Sequence, residues 1–163
     1  MRRKFGKLIN ELAKEDDKVV LLVGDIGYGI FADFRKNHPK RFFNLGICEQ
    51  SLIGTASGMS LEGLKPWVYT ITPFLIERPF EQIKLDINQQ KANVKLVGFA
   101  DYPQLGPTHA ELNAEKLMSL FENIKSFYPK DSFETEKYFY ECYRNIGPNF
   151  ISLKTDKLAG QKW

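Results

Sequence analysis

Cysteine is nearly missing from this chain. Cys48 and Cys142 are the only two among 163 residues, which supplies neither a disulfide framework nor a cysteine metal site. Strong charge of one sign is missing too: the net charge is +3 and the lysines are scattered, so nothing favours binding to nucleic acid or to a membrane surface. No apolar run approaches the roughly 20 residues of a membrane span. The basic N-terminus, "MRRKFGKLINELAKEDD", has no uninterrupted apolar core and does not read as a secretory signal. Repeats, low-complexity tracts and internal linkers are absent as well. The cytoplasm is the expected compartment.

What remains is the composition of an ordinary globular protein, 43% hydrophobic and 26% charged, long enough for one well-buried domain spanning residues 1–163. The N-terminal stretch reads as an amphipathic helix with Phe5, Leu8, Ile9 and Leu12 on one face. "KVVLLVGD" (18–25) is a continuous apolar run closed by a glycine, the pattern of a strand buried on both faces. The pattern then alternates: a helix over 30–37 ended by His38-Pro39, a strand in "RFFNLG", a helix over 49–61, and a strand in "PWVYTIT". A long helix over 74–90, a strand in "NVKLVGFA", an irregular loop and a helix over 114–121 follow. The strand "IKSFYP", a helix over 132–145 and the strand "NFISLKT" complete the series. This order predicts an α/β fold: a mostly parallel, twisted sheet of about six strands with helices on both faces. Ligands of such sheets bind beyond the carboxyl ends of the strands. Segments 24–29, 45–49, 71–74 and 99–109 are therefore the places to look for a site.

One residue in these segments stands out chemically. Glu49 follows a glycine turn and heads a helix of small residues, "EQSLIGTASG". A carboxylate there is either an ordinary helix N-terminal charge stabilised by the dipole or a group with a task in a dry pocket. The dinucleotide fingerprint does not explain it, since "GDIGYG" lacks the third glycine, and no P-loop is present.

The stretch "RFFNLGICEQSLIGTASGMSLEGLKPWVYTITPFLIERPFEQI", with "VGDIGYG" before it and "GPTHAELNAEKLMSLFENI" and "GPNFISLKT" after it, resembles the pyrimidine-binding domain of transketolase and deoxyxylulose-phosphate synthase. The motifs occur in the family's order across nearly the whole chain. The resemblance implies thiamine diphosphate as cofactor, with Glu49 bonded to the pyrimidine ring nitrogen and acting as an acid–base catalyst through the cofactor. It further implies that Phe74 stacks on the aminopyrimidine, that Ile26 wedges the cofactor into its bent shape, that Asp25 helps fix the turn or a domain interface, and that His109 faces the substrate. Read without the resemblance, Phe74 and Ile26 are core residues, Asp25 is turn chemistry and His109 a solvated loop residue. Lys154 lies near a position that can bind substrate phosphate, or is simply solvated. Cys48 has no histidine beside it in sequence and no implied role.

Two departures qualify the resemblance. Transketolases carry an acid just before "GPTH" that reads a sugar hydroxyl, and this chain has Leu105 there. A second family histidine is replaced by Phe99 or its neighbours. Ketol donation from an ordinary sugar is therefore in question. The diphosphate-binding and C-terminal domains of the family are also missing from these 163 residues. The expectation is a split enzyme in which a separate subunit holds the diphosphate with Mg2+ or Ca2+, plausibly an α2β2 assembly, while this chain itself contributes no metal ligand. Its substrate would be a sugar phosphate, sugar nucleotide or keto acid. Decarboxylating chemistry and a non-catalytic partner domain are the alternatives.

Overall fold

In a computed structural model describing residues 1–100 and 102–155, the amphipathic N-terminus is helix α1 (Arg2–Glu15). Its four apolar positions, Phe5, Leu8, Ile9 and Leu12, are all buried. The remaining elements are β1 (Val19–Val23), α2 (Ala32–Asn37), β2 (Phe42–Asn44), α3 (Glu49–Leu61), β3 (Lys65–Ile71) and α4 (Thr72–Ile76), followed by α5 (Phe80–Gln82), which continues as a π-helical stretch, Ile83–Gln89. After these come β4 (Lys95–Phe99), α6 (Ala114–Met118), β5 (Lys125–Phe127), α7 (Ser132–Arg144) and β6 (Asn149–Leu153). The six strands form one sheet in the order β2-β1-β3-β4-β6-β5, and every neighbouring pair is parallel. The expected α/β architecture is thus observed. Residues 156–163, which the expected domain includes, lie outside the described residues. No described helix is long and apolar enough to cross a membrane.

The strands are apolar throughout because both faces are covered. Val19, Leu21, Val23, Trp67, Tyr69 and Val97 point into a core shared with α1, α2 and α7. Their neighbours Val20, Leu22, Val68 and Leu96 point into a second core under α3, α4, α5 and α6, as the period-2 geometry of a strand requires. Phe5 anchors the first core, with its ring 5.8–6.0 Å from the rings of Phe31, Trp67, Tyr69 and Phe139. His38 is also built into this layer: its Nδ1 accepts from Arg41 Nη2 at 2.7 Å, so Nε2 carries the hydrogen directed at the Asn10 carbonyl, 3.3 Å away.

One element differs from the sequence expectation. The helix expected over 74–90 is broken at residues 77–79. Pro79 has no N–H to continue the ladder and instead precedes the first turn of α5. Leu75, Ile76, Ile83 and Ile87 are buried on both sides of the break, so the apolar periodicity runs straight across it.

The amino end of the sheet is closed by a buried ammonium. Lys95 is 2% exposed, and its Nζ donates to Asn93 Oδ1 (2.7 Å), Asn145 O (2.8 Å), Gly147 O (2.6 Å) and Asn149 Oδ1 (2.9 Å). All four acceptors are neutral oxygens, and burial pulls the lysine pKa down to about 8. Lys95→Met should lower the unfolding free energy by about 2–4 kcal/mol, because it leaves several buried acceptors without a donor. Between about pH 8 and the ordinary lysine value of 10.5 the folded chain holds fewer protons at this site than the unfolded chain, so the site's contribution to stability rises with pH. Urea unfolding of both proteins should therefore show the gap between wild type and Lys95→Met widening from pH 8 to 10; a gap independent of pH would contradict the account.

Candidate functional site

At β1 the chain turns to β2 on one side and later returns to β3 on the other. The connections from β1 and from β3 leave in different directions there, the place where sheets of this kind take their ligands. After β2, Gly46 adopts φ +74, a left-handed turn natural to glycine. The turn delivers Cys48 to the N-cap of α3 and Glu49 to its first helical position. There the carboxylate gains from the helix dipole, yet the residue is only 3% exposed. A charge buried that far requires a partner.

The partner is Arg78, whose Nη1 lies 3.0 Å from Glu49 Oε1. Arg78 sits in the break between α4 and α5, where its carbonyl accepts from Gln50 Nε2 at 3.4 Å. Its guanidinium carbon lies 3.6 Å from the centre of the Phe74 ring, a cation–π contact between residues four apart. Phe74 in turn meets the His109 ring edge-on at 4.8 Å between centroids. His109 ends the 3-10 turn Pro107–His109, and its loop is tied to the α4 end by Glu77 Oε1, which accepts from the Leu112 N–H at 3.1 Å. Glu49 on the first turn of α3, Phe74 in α4 and His109 in the loop after β4 thus converge at the carboxyl edge, with Arg78 linking Glu49 to Phe74.

Gly98 sets the height of α4 over the sheet. A Cβ there would come within 3.0 Å of Thr72 Cα and would clash with Thr72 Oγ1, so only glycine lets the first turn of α4 settle on β4.

Asp25 and Ile26 are placed differently. Asp25 adopts φ +53 and is held by Asn44: the Asp25 N–H donates to Asn44 Oδ1 (3.0 Å), and Asn44 Nδ2 donates to Asp25 Oδ1 (3.1 Å). The Tyr28 hydroxyl donates to the same carboxylate at 2.6 Å. This bond, and after it that of Asn44, lowers the Asp25 pKa; the same bond to Asp25 raises that of Tyr28. Asn44 Oδ1 also accepts from the Gly46 N–H at 3.0 Å, an Asx turn that couples the Asp25 loop to the approach to Glu49. Ile26 packs on the α1-side core and lines a cavity of about 540 Å3 with Arg2, Arg3, Lys7, Tyr28 and Tyr102.

Lys154 pairs with Glu111 at 3.6 Å and borders a polar cavity of about 320 Å3 with Ser152 and Tyr128. Leu105 is 57% exposed in the loop that carries His109, and Phe99 is buried beneath the Arg2 guanidinium, 4.4 Å away. Cys48 is exposed. Among the described residues no group of three or more His, Cys, Asp and Glu side chains could hold a metal ion. Arg78 and Asn44 are the residues that sequence reasoning missed. Pro79 was the available signal for Arg78, since a proline ends a helix and frees the residue before it; for Asn44 it was an asparagine two residues before a glycine.

Over residues 1–160 the chain matches the family described as transketolase, pyrimidine binding domain. It belongs to that family. It is 33% identical over 155 residues to a protein of Actinobacillus succinogenes named as a subunit of apulose-4-phosphate transketolase, covering 93% of this chain and 50% of that one. It is 32% identical over 149 residues to a 1-deoxy-D-xylulose-5-phosphate synthase of Carboxydothermus hydrogenoformans, 88% of this chain and 24% of that one. Among solved structures, a split-gene transketolase described as an inactive β4 tetramer superposes with a TM-score of 0.85 at 33% identity, covering 95% of this chain and 51% of its own. The chain therefore spans about half the length of the apulose-4-phosphate transketolase protein it matches.

Two outcomes follow for the pyrimidine-domain edge. Gly98→Ala should destabilise the fold by about 1–3 kcal/mol through overpacking and displace Phe74, read as loss of the ring-current shift that Phe74 imposes on the His109 ring protons. Asn44→Ala should lower stability by about 1–2 kcal/mol and speed amide exchange at residues 24–28 and 44–48, leaving residues 95–99 unchanged.

Proposed function

We propose that this chain is the pyrimidine-binding subunit of a thiamine-diphosphate-dependent transferase that moves a ketol or acyl unit and is active only with a partner. The observation that carries the reading is the Glu49 carboxylate, 3% exposed, on the first turn of α3 and joined to the Phe74 ring through the Arg78 guanidinium. The residues fit the cofactor's aminopyrimidine. A flat cation with in-plane N–H donors, the Arg78 guanidinium, already rests on Phe74 and donates to Glu49, so an aromatic face and an acceptor suited to such a ring are both available. Glu49 would bind the pyrimidine ring nitrogen and hold or release the proton there. Phe74 would support the ring, Ile26 would pack against the bend of the cofactor, and Asp25 would fix the surrounding loop. The cofactor, when bound, supplies a thiazolium carbon for carbonyl chemistry. His109, at the edge of Phe74, would face the substrate and move a proton at its oxygen. Burial keeps water from competing for Glu49.

A separate subunit would hold the diphosphate and its Mg2+ or Ca2+, in an α2β2 assembly. Support comes from the relative whose name makes it one subunit of a transketolase and from the split-gene neighbour whose β4 tetramer is described as inactive. The first relative's name points to sugar phosphates; keto acids offer the same carbonyl chemistry, and a sugar nucleotide does so where it carries a keto group. Leu105, apolar and exposed, offers nothing to read a sugar hydroxyl, which favours a deoxygenated donor. The likeness to deoxyxylulose-phosphate synthase supports a second reading, decarboxylation of a 2-oxo acid followed by transfer.

Affinity capture of the chain from its host should retain a companion with a "GDG…N" diphosphate motif. In the reconstituted pair, Glu49→Gln should cut kcat by about 10²–10⁴-fold. Release of CO2 from a 2-oxo acid would select the decarboxylating reading. A fully active Glu49→Gln pair, or capture without such a companion, would overturn the proposal.

A further inference from the structure

Arg78 has no role in the chemistry derived above, yet it engages both groups on which that chemistry depends. Its guanidinium lies 3.6 Å above the Phe74 ring while its Nη1 donates to Glu49 at 3.0 Å. A guanidinium is planar and delocalised and carries its N–H donors in its own plane. These are also the features by which a protonated aminopyrimidine would stack on a ring and donate to an acid. With its central carbon 3.6 Å from the ring centre, the guanidinium is in van der Waals contact with that face of Phe74, so no second flat group can share it. We propose that Arg78 is an internal stand-in for the aminopyrimidine: a latch that fills the slot when no cofactor is bound and must swing away before the cofactor enters. This proposal rests on the cofactor reading of Glu49 and Phe74.

Three features of the chain make the latch workable. First, Glu49 is buried, and without a cofactor its charge needs a cation; removing the partner of a buried charge is costly. Arg78 supplies the cation. Second, Arg78 stands in the break at residues 77–79 rather than inside a helix, so its side chain can leave without unwinding α4 or α5. Its main chain is tied to α3 by the long Gln50 contact of 3.4 Å. Third, its side chain is 36% exposed, so solvent is open to it once it lets go. Binding is then an exchange of one flat cation for another, and Glu49 is never left buried and alone. The apparent affinity for the pyrimidine falls by the fraction of molecules with the latch open.

The test uses the full chain and 4-amino-5-hydroxymethyl-2-methylpyrimidine, the pyrimidine half of the cofactor, followed by NMR. On titration the Nε–Hε resonance of Arg78, shifted by the Phe74 ring, should move to the position of a free arginine side chain. Arg78→Met should bind the probe about tenfold tighter than wild type if the open latch is a minority of molecules. Arg78→Lys, which retains the ion pair and loses the flat stack, should fall between the two. Glu49→Gln should weaken binding in both the wild-type and the Arg78→Met backgrounds. If binding depends on Glu49 but is unchanged or weaker in Arg78→Met, or if the Arg78 resonance stays put at saturation, the latch is overturned and the cofactor reading stands. If the probe binds none of these proteins, or binds without regard to Glu49, the cofactor reading itself falls and the latch falls with it.

Discussion

A parallel sheet buried on both faces has almost nowhere to put a charge. Its strands pack apolar side chains up and down into the α1-side and α3-side cores, and its interior tolerates no unpaired ionised group. What it does offer is an edge at which every strand arrives in the same direction. All six strands here are parallel, so the loops bearing Asp25, Glu49, Phe74 and His109 emerge at one edge. The convergence of Glu49, Phe74 and His109, separated by up to 60 positions, is therefore a consequence of strand polarity, and the chemistry has to be built there.

The two buried charges at opposite edges are handled in different ways. Lys95, at the amino edge, is enclosed by four neutral oxygens, two of them main-chain carbonyls of the turn between α7 and β6. Such a cage is closed: replacing it would mean rebuilding the turn. Glu49, at the carboxyl edge, is matched by one side chain reaching from a helix break across an aromatic ring. That pairing can be exchanged, because a long side chain and its rotamers are all that must move. The contrast fits an edge that braces the fold and an edge that serves a ligand.

Much of the fold was legible in the residues. Continuous apolar runs gave the strands, and helix α3 occupies the expected 49–61 span. The helix expected over 74–90 was misread because Leu75, Ile76, Ile83 and Ile87 keep a helical period through Pro79; periodicity reports which face is buried and is blind to a break that preserves the face. Glu49 stood out in the sequence as a lone acid after a glycine turn, and it does head α3, buried; the residues by themselves left an ordinary helix-terminal charge equally open. Asp25 was legible as turn chemistry, but its mate Asn44, 19 residues away, was not.

The sequence alone determined the alternation of strands and helices, the polarity of the sheet, and the carboxyl edge to which Asp25, Glu49, Phe74 and His109 are carried. All of these follow from local pattern and from the cost of burying unlike groups. Only the tertiary structure decided what Glu49 touches. Arg78 is 29 residues from Glu49 and four from Phe74; Pro79 marks a helix break beside it, but nothing in the local pattern says which acid or ring it meets. Its role comes from the Pro79 break, from the close approach of α4 to Gly98, and from the order of the strands beneath. Long-range pairings of this kind are fixed by the geometry of the packed chain, where a difference of an ångström separates an ion pair from a solvated charge.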